Sequence, residues 1–122
     1  LAAQAVNISG VPVIAAKVQE LSVEALRSMG DALRDRLGDS IVVFATVEND
    51  RPIFLVMASQ SLTTKGVHAG EIAKRAAKVA GGGGGGKPTM AQAGGKDASK
   101  IDEALAEARR AIEEQLSSHK GG

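Results

Sequence analysis

Residues 41–58 read IVVFATVENDRPIFLVMA, and the predicted arrangement of the rest of the chain follows from this segment. Two apolar runs, Ile41 to Val47 and Ile53 to Ala58, are rich in β-branched and aromatic side chains. They flank the polar segment 48–52, which predicts a β-hairpin. Neither run alternates between apolar and polar residues. We therefore expect both strands to be covered on both faces of their sheet.

The sequence before this hairpin predicts a strand followed by a helix. Val11 to Val18 is a short β-branched run, with Pro12 at its start or on a sheet edge because proline has no N–H to donate. Ser22 is a candidate N-cap for a helix of apolar residues at helical spacing, which Gly38 ends. Strand, helix and strand form a βαβ unit, for which we expect parallel strands and a right-handed crossover. Gly30 within the helix has no explanation in the sequence.

Two more helices and one short strand are predicted after the hairpin. The helices run from about Val67 to Val79 and from about Ala98 to Ser117, and the strand lies around Met90 to Ala93. The later helix carries an apolar stripe and a charged outer face. The predicted class is mixed α/β (α+β), with the order β-α-β-β-α-(glycine loop, short β)-α and helices packed on a small mixed sheet.

The organisation predicted from this pattern is a single domain over residues 1–122, cut from a longer chain because it does not begin with Met. Residues 81–95 are expected to form a glycine-rich loop within the domain, and residues 118–122 a flexible tail.

Composition limits the possible functions. The chain has 43% hydrophobic and 24% charged residues, as soluble globular proteins do, but only 2% aromatics, which argues against a base-stacking surface. There is no cysteine, the two histidines lack metal-ligand spacing, and no apolar run is long enough to span a bilayer. We expect no catalytic residues, metal or cofactor in this domain, no membrane partner, and a cytoplasmic location.

Charge is unevenly distributed along the chain. Residues 65–100 hold seven basic and two acidic residues, a net charge of +5, and the remainder is −4, which gives the total of +1. A near-neutral protein with one basic region can bind a polyanion through that region. Charge alone is more commonly explained by lysines that only solvate a surface.

Six consecutive glycines, Gly81 to Gly86, are the most informative feature. They would fit a flexible linker, but only one helix follows them, and a second glycine pair ends the segment at Gly95. Without Cβ atoms, such a backbone can turn successive N–H groups toward phosphate oxygens. It is not a nucleotide-binding P-loop, because Lys87 is followed by proline rather than Ser or Thr.

The candidate polyanion site combines this backbone with nearby cations and one amide. Gln92 is expected to contact a base or sugar or, as the favoured reading, to complete a buried hydrogen-bond network. The candidate residues are Gly81, Gly82, Gly83, Gly84, Gly85, Gly86, Lys87, Lys74, Arg75, Lys78 and Gln92.

Residues 74–95, KRAAKVAGGGGGGKPTMAQAGG, resemble the signature near the end of bacterial alanyl-tRNA synthetases. That family pattern is a glycine run, a basic residue, proline, then Met-Ala-Gln-Ala-Gly-Gly. The resemblance extends to the DHH-associated domain at the C-terminus of DHH phosphoesterases, where the comparable loop carries Gly-Gly-His. Lys87 stands where that histidine is expected, a departure that favours the synthetase branch.

The resemblance implies a non-catalytic tRNA-binding domain that contacts the tRNA elbow, where the D and T loops meet, and links aminoacylation with editing. Its implied partners are tRNA, in particular alanine tRNA, and the upstream domains of the same chain. ATP and zinc would bind only in those upstream domains of a parent ligase. Two alternatives stay open: the C-terminal domain of a free-standing alanyl-tRNA editing protein, and an oligomerisation module that forms a homodimer through the last helix.

Overall fold

A computed structural model describes residues 5–120 of the chain, with side chains as far as residue 117. A single 3-10 turn, Ala98–Lys100, leads into the last helix. The elements in chain order are β1 Val6–Ile8, β2 Val11–Lys17, α1 Val23–Leu37, β3 Ile41–Glu48, β4 Arg51–Ala58, α2 Gln60–Thr63, α3 Ala69–Val79, β5 Gly83–Gly86, β6 Met90–Gly94 and α4 Ile101–Lys120.

The six strands form one mixed sheet in the order β1-β2-β3-β4-β6-β5. Strands β2 and β3 are parallel, as the βαβ pattern predicts, and the other neighbours are antiparallel. The β3–β4 hairpin is confirmed, with its turn at Asn49 and Asp50, whose φ angles are 52° and 64°. Asn and Asp tolerate this left-handed conformation, and the turn type matches the twist of the strands.

Helices cover both faces of the central strands, which confirms the expectation drawn from their continuous apolar runs. On one face, α1 packs on alternate residues of β3 and β4, including Val42 and Leu55. On the other face, α3 and α4 cover the intervening residues, including Val43 and Phe54. This arrangement also explains Gly30, since a Cβ there would lie 2.6 Å from the sulfur of buried Met57.

The first strand, β1, was not predicted. It is three residues long and pairs with β2 through a turn at Ser9 and Gly10, both with positive φ. The Asn7 Oδ1 accepts a hydrogen bond from the Gly10 N–H at 2.8 Å and closes the turn. Three residues are too few for a periodic pattern to stand out.

Side chains cap the N-termini of two helices, α1 and α3. Ser22 caps α1 as predicted, its Oγ accepting from the Ala25 N–H at 3.1 Å. The helix predicted from Val67 begins at Ala69, because the His68 Nδ1 caps it by accepting from the Glu71 N–H at 3.1 Å. Val67 is instead buried in the core before the helix starts.

The last helix packs on its own sheet. Its stripe of Ile101, Leu105, Ala108, Ile112 and Leu116 is buried in the core shared with α3 and the sheet. The oligomerisation alternative thereby loses the apolar surface on which it rested. The helix continues to Lys120, so positions 118–120 are helical rather than a tail, and residues 121–122 lie outside the described part. None of the helices in the described range is long and apolar enough to cross a membrane.

Candidate nucleic-acid interface

The glycine run is a strand, which corrects the prediction of a loop over residues 81–95. Gly83–Gly86 forms β5, the edge strand of the sheet, and pairs with β6 from Gly83 opposite Gly94 to Gly86 opposite Ala91. The Lys87 N–H donates to the Met90 carbonyl at 2.8 Å, closing a tight hairpin turn through Pro88. A run without side chains can enter a sheet because the ladder uses only backbone groups.

Close packing of helix α3 explains why this strand is made of glycine. The Gly70 N–H donates to the Lys87 carbonyl at 3.1 Å, and the Gly82 N–H donates to the Ala77 carbonyl at 2.8 Å. A Cβ at Gly70 would lie 2.5 Å from the carbonyl oxygen of Gly86. Helix and strand therefore approach backbone to backbone, which larger residues at these positions would prevent.

The backbone amides of β5 alternate in direction rather than converge on one point. In an antiparallel ladder, every second residue bonds to the neighbouring strand. Because Lys87 bonds to Met90, the alternate residues Gly85 and Gly83 also face β6, and the N–H groups of Gly84 and Gly86 face the open edge. The amides thus form an edge and not the concave cluster expected from the sequence.

The predicted cations lie in two different environments. Lys74 and Lys78 are exposed on α3, and Lys87 is exposed at the end of β5. None of these three lysines forms an ion pair with any residue the structure describes. Lys74 lies four residues after Gly70, which touches β5, so helical periodicity puts it on the flank of α3 that borders this strand.

Arg75 faces the other way, toward α4. Its Nη2 contacts Glu107 at 2.7 Å and Glu114 at 2.9 Å, and Glu107 is bound in turn by Arg110 at 2.8 Å. These hydrogen bonds raise the pKa of Arg75 and lower the pKa of Glu107 and of Glu114. The structure therefore brings Arg75 into an ion-pair network between two helices and away from the lysines.

Gln92 is exposed, so the favoured expectation that it completes a buried hydrogen-bond network is wrong. Its side chain makes no hydrogen bond to any part of the chain between residues 5 and 117. Gln92 pairs with Leu55 on β4 and Gly85 on β5, so these three residues share one face of the sheet. Leu55 packs toward α1, which identifies that face as the one opposite α3.

On this face two shallow depressions lie along strands β4, β6 and β5, and together we call them the trough. The depression at one end is lined by Arg27 of α1 together with Lys87, and the depression at the other end by Arg51 and Lys96. Sequence reasoning missed Arg27, Arg51 and Lys96. Only Lys96 carried a signal, because it follows the second glycine pair within the basic segment; the other two come close only through the sheet topology.

A metal site is not evident in the described part of the chain, where no three His, Asp or Glu side chains lie close enough together to hold a metal ion.

Comparison with known proteins places this arrangement in a family. The family model described as the DHHA1 domain matches residues 10–114. An alanine–tRNA ligase from Acetivibrio thermocellus is 54% identical over 93% of this chain, and one from Geobacillus thermodenitrificans is 47% identical over 86%. The matched regions are 13% and 12% of those proteins, so the chain spans about an eighth of the length of these curated relatives.

Solved structures agree with the sequence relatives. The crystal structure of the C-Ala domain from Aquifex aeolicus alanyl-tRNA synthetase matches with a TM-score of 0.76 and 32% identity, covering 93% of this chain and 97% of that one. The DHH domain of a member of the s1p family of ribosomal proteins shares the fold alone, with a TM-score of 0.64 and 17% identity over 91% of this chain and 28% of that one. The predicted resemblance and the mixed α/β class are confirmed: this chain belongs to the DHHA1 domain family and is similar over most of its length to the C-Ala domain of an alanyl-tRNA synthetase.

Proposed function

We propose that this chain is the tRNA-binding C-terminal domain of an alanine–tRNA ligase. The observation that carries the proposal is its similarity, over nearly the full length of both chains, to the C-Ala domain of an alanyl-tRNA synthetase. The curated relatives named above are alanine–tRNA ligases, which favours a ligase over a free-standing editing protein as the parent. The surface agrees with a polyanionic partner, because it presents exposed lysines beside the edge strand of the sheet.

In this proposal the domain binds the elbow of alanine tRNA and keeps one bound tRNA within reach of both aminoacylation and editing. Catalysis, ATP and zinc belong to other domains of the parent enzyme, and this chain supplies binding alone. Its working location is the cytoplasm, where tRNA is charged. Its remaining partners are the upstream domains of the same chain.

Exposed lysines on α3 and at the end of β5 are the candidates for phosphate contacts, and the glycine strand supplies a surface without side chains. Lys74 and Lys87 flank the strand Gly83–Gly86, and Lys78 extends the basic surface along α3. Phosphate contacts of this kind fix position and do not depend on base sequence. We assign Arg75 to holding α3 on α4, because its guanidinium already donates hydrogen bonds to the carboxylates of Glu107 and Glu114.

The experiment is a titration of the chain with alanine tRNA and with duplex DNA of similar length, at several salt concentrations. We expect tighter binding to tRNA and a steep loss of affinity as salt rises, since phosphate contacts release counterions. Equal affinity for both would contradict tRNA recognition. Absence of binding at low salt would contradict a tRNA-binding role for this chain.

The elbow is tested with a minihelix of acceptor stem and T arm, which lacks the D loop. A loss of affinity of about 5- to 30-fold relative to intact tRNA is expected, as one or two contacts of about 1 kcal/mol each disappear. Undiminished binding to the minihelix would reject the elbow and leave tRNA binding in place.

A further inference from the structure

We infer that the RNA backbone lies in the trough on the sheet face opposite α3. Arg27 and Lys87 bind its phosphates at one end of the trough, and Arg51 and Lys96 bind them at the other. This inference rests on the proposed function and names the surface that performs it. Helix α3, which carries Lys74 and Lys78, would then border the bound RNA without holding it.

The two depressions of the trough adjoin, because their residues occupy successive rows of the same sheet face. Ile53, Gly94 and Gly83 pair across three strands, and Leu55, Gln92 and Gly85 form the next row two residues along. Side chains two residues apart in a strand point to the same side. Six residues separate Arg51 from the row of Met57 and Met90, a span of about 20 Å at about 3.3 Å per residue, which is long enough for several phosphates.

Charge favours this surface over α3. The lining holds four basic residues against one acidic residue, Glu48, a net charge of +3. The exposed side of α3 has Lys74 and Lys78 against Glu71, a net charge of +1. All four trough cations are exposed and none is ion-paired to another residue within the range the structure describes. Unpaired cations exchange counterions for phosphates most readily.

The shape of the trough also favours RNA binding at this surface. The floor of the trough is glycine backbone at Gly83, Gly85 and Gly94, so a ribose–phosphate chain can approach within contact of the sheet. Gln92 stands in the middle with an amide that has both donors and acceptors and is unused in the described chain. It is suited to a ribose 2′-hydroxyl or the edge of one unpaired base.

The test compares two double variants that remove equal charge. Arg27→Ala with Lys96→Ala removes one cation from each end of the trough, and Lys74→Ala with Lys78→Ala removes two exposed lysines from α3. Affinity for alanine tRNA is measured over a salt series. For the trough variant we expect the slope of log affinity against log salt to fall by about 1.4–1.8, the value for two lost phosphate contacts. The α3 variant should keep the wild-type slope.

A third variant, Gly83→Val, obstructs the floor without touching charge. A Cβ at Gly83 meets no atom within 4 Å, and β-branched residues suit strands, so the fold should be retained. We expect a tenfold or greater loss of tRNA affinity with an unchanged far-ultraviolet circular dichroism spectrum. A folded Gly83→Val variant that binds as tightly as the wild type would overturn the inference.

The outcomes separate the inference from the function on which it rests. If wild-type tRNA binding is salt-sensitive and the α3 variant alone loses slope, the proposed function stands and the trough is rejected. If the wild-type chain does not bind tRNA at all, both fail. Loss of slope in the trough variant alone supports both.

Discussion

Replacing Gly82 or Gly83 with alanine should change the free energy of unfolding in opposite directions, although the two residues are adjacent. A Cβ at Gly82 would overlap the carbonyl oxygen of Gly94 and lie 2.5 Å from the Cα of Gly95, so backbone must move to admit it. Overpacking of this kind costs about 1–3 kcal/mol. A Cβ at Gly83 meets nothing, and replacing a strand glycine with alanine there restricts the unfolded chain, a gain of about 0.5–1 kcal/mol.

These free energies convert to measurable melting shifts. With about 2.1 cal/mol/K of unfolding entropy per residue, a chain of 122 residues changes its Tm by about 4 °C for each kcal/mol. Gly83→Ala should therefore raise the Tm by about 2–4 °C, and Gly82→Ala should lower it by about 4–12 °C. Thermal unfolding followed by far-ultraviolet circular dichroism, with urea unfolding as a second measure, resolves both. Shifts of the same sign and size in the two variants would contradict the packing of Gly82, because they would indicate a glycine linker that packs on nothing.

Three further perturbations test the packing around the site. Arg75→Ala should lower the free energy of unfolding by about 1 kcal/mol in urea, since it breaks bonds to two carboxylates that are partly solvated, whereas Lys78→Ala should stay within about 0.5 kcal/mol of the wild type. Because Arg75 lowers the pKa of Glu107, this ion pair stabilises the folded state at pH values above 4.5, the ordinary pKa of glutamate, and the stabilisation is lost as the pH falls through the lowered pKa. In Glu107→Gln, the free energy of unfolding in urea should therefore decrease less as the pH is lowered. Ser22→Ala should cost about 1 kcal/mol by removing the cap on the Ala25 N–H, and Ser22→Asp should retain most of the stability in the same assay.

The sequence predicted those elements whose signals are local. The apolar runs of β3 and β4 and the serine cap of α1 depend on residues within a few positions of one another. The cap was found at the predicted residue, and both strands were found with bounds within two residues of those predicted. The three-residue β1 and the four-residue α2 escaped because neither is long enough to display a period.

The strand formed by the glycine run could not be predicted from local sequence signals. Glycine has low strand propensity, so propensity favours a loop at residues 81–86. Tertiary contact reverses that preference, because Gly70 and Gly86 together allow α3 to lie directly on β5. No rule of spacing in one sequence pairs a glycine at the start of a helix with another sixteen residues later.

The partners of Arg75 were also beyond sequence reasoning. Arg75 is adjacent in sequence to Lys74, and on charge alone the two are equivalent candidates for a phosphate contact. One residue along a helix turns a side chain by about 100°, which is enough to send Arg75 to Glu107 and Glu114 of α4 while Lys74 borders β5. Which basic residues remain free for a ligand is thus decided by the packing of α4, 32 residues or more along the chain.

Glycine is found on both faces of the glycine strand, but for different reasons. Toward α3 the strand must be bare so that helix and sheet backbones can touch at Gly70 and Gly82. Away from α3, at Gly83, nothing in the fold requires glycine, since a Cβ there meets no atom within 4 Å. Stability alone would favour a larger, β-branched residue at that position, because strand glycines cost free energy. A bare outer face is therefore best explained by a ligand that approaches it closely, and the cations at both ends of that face indicate that the ligand is anionic.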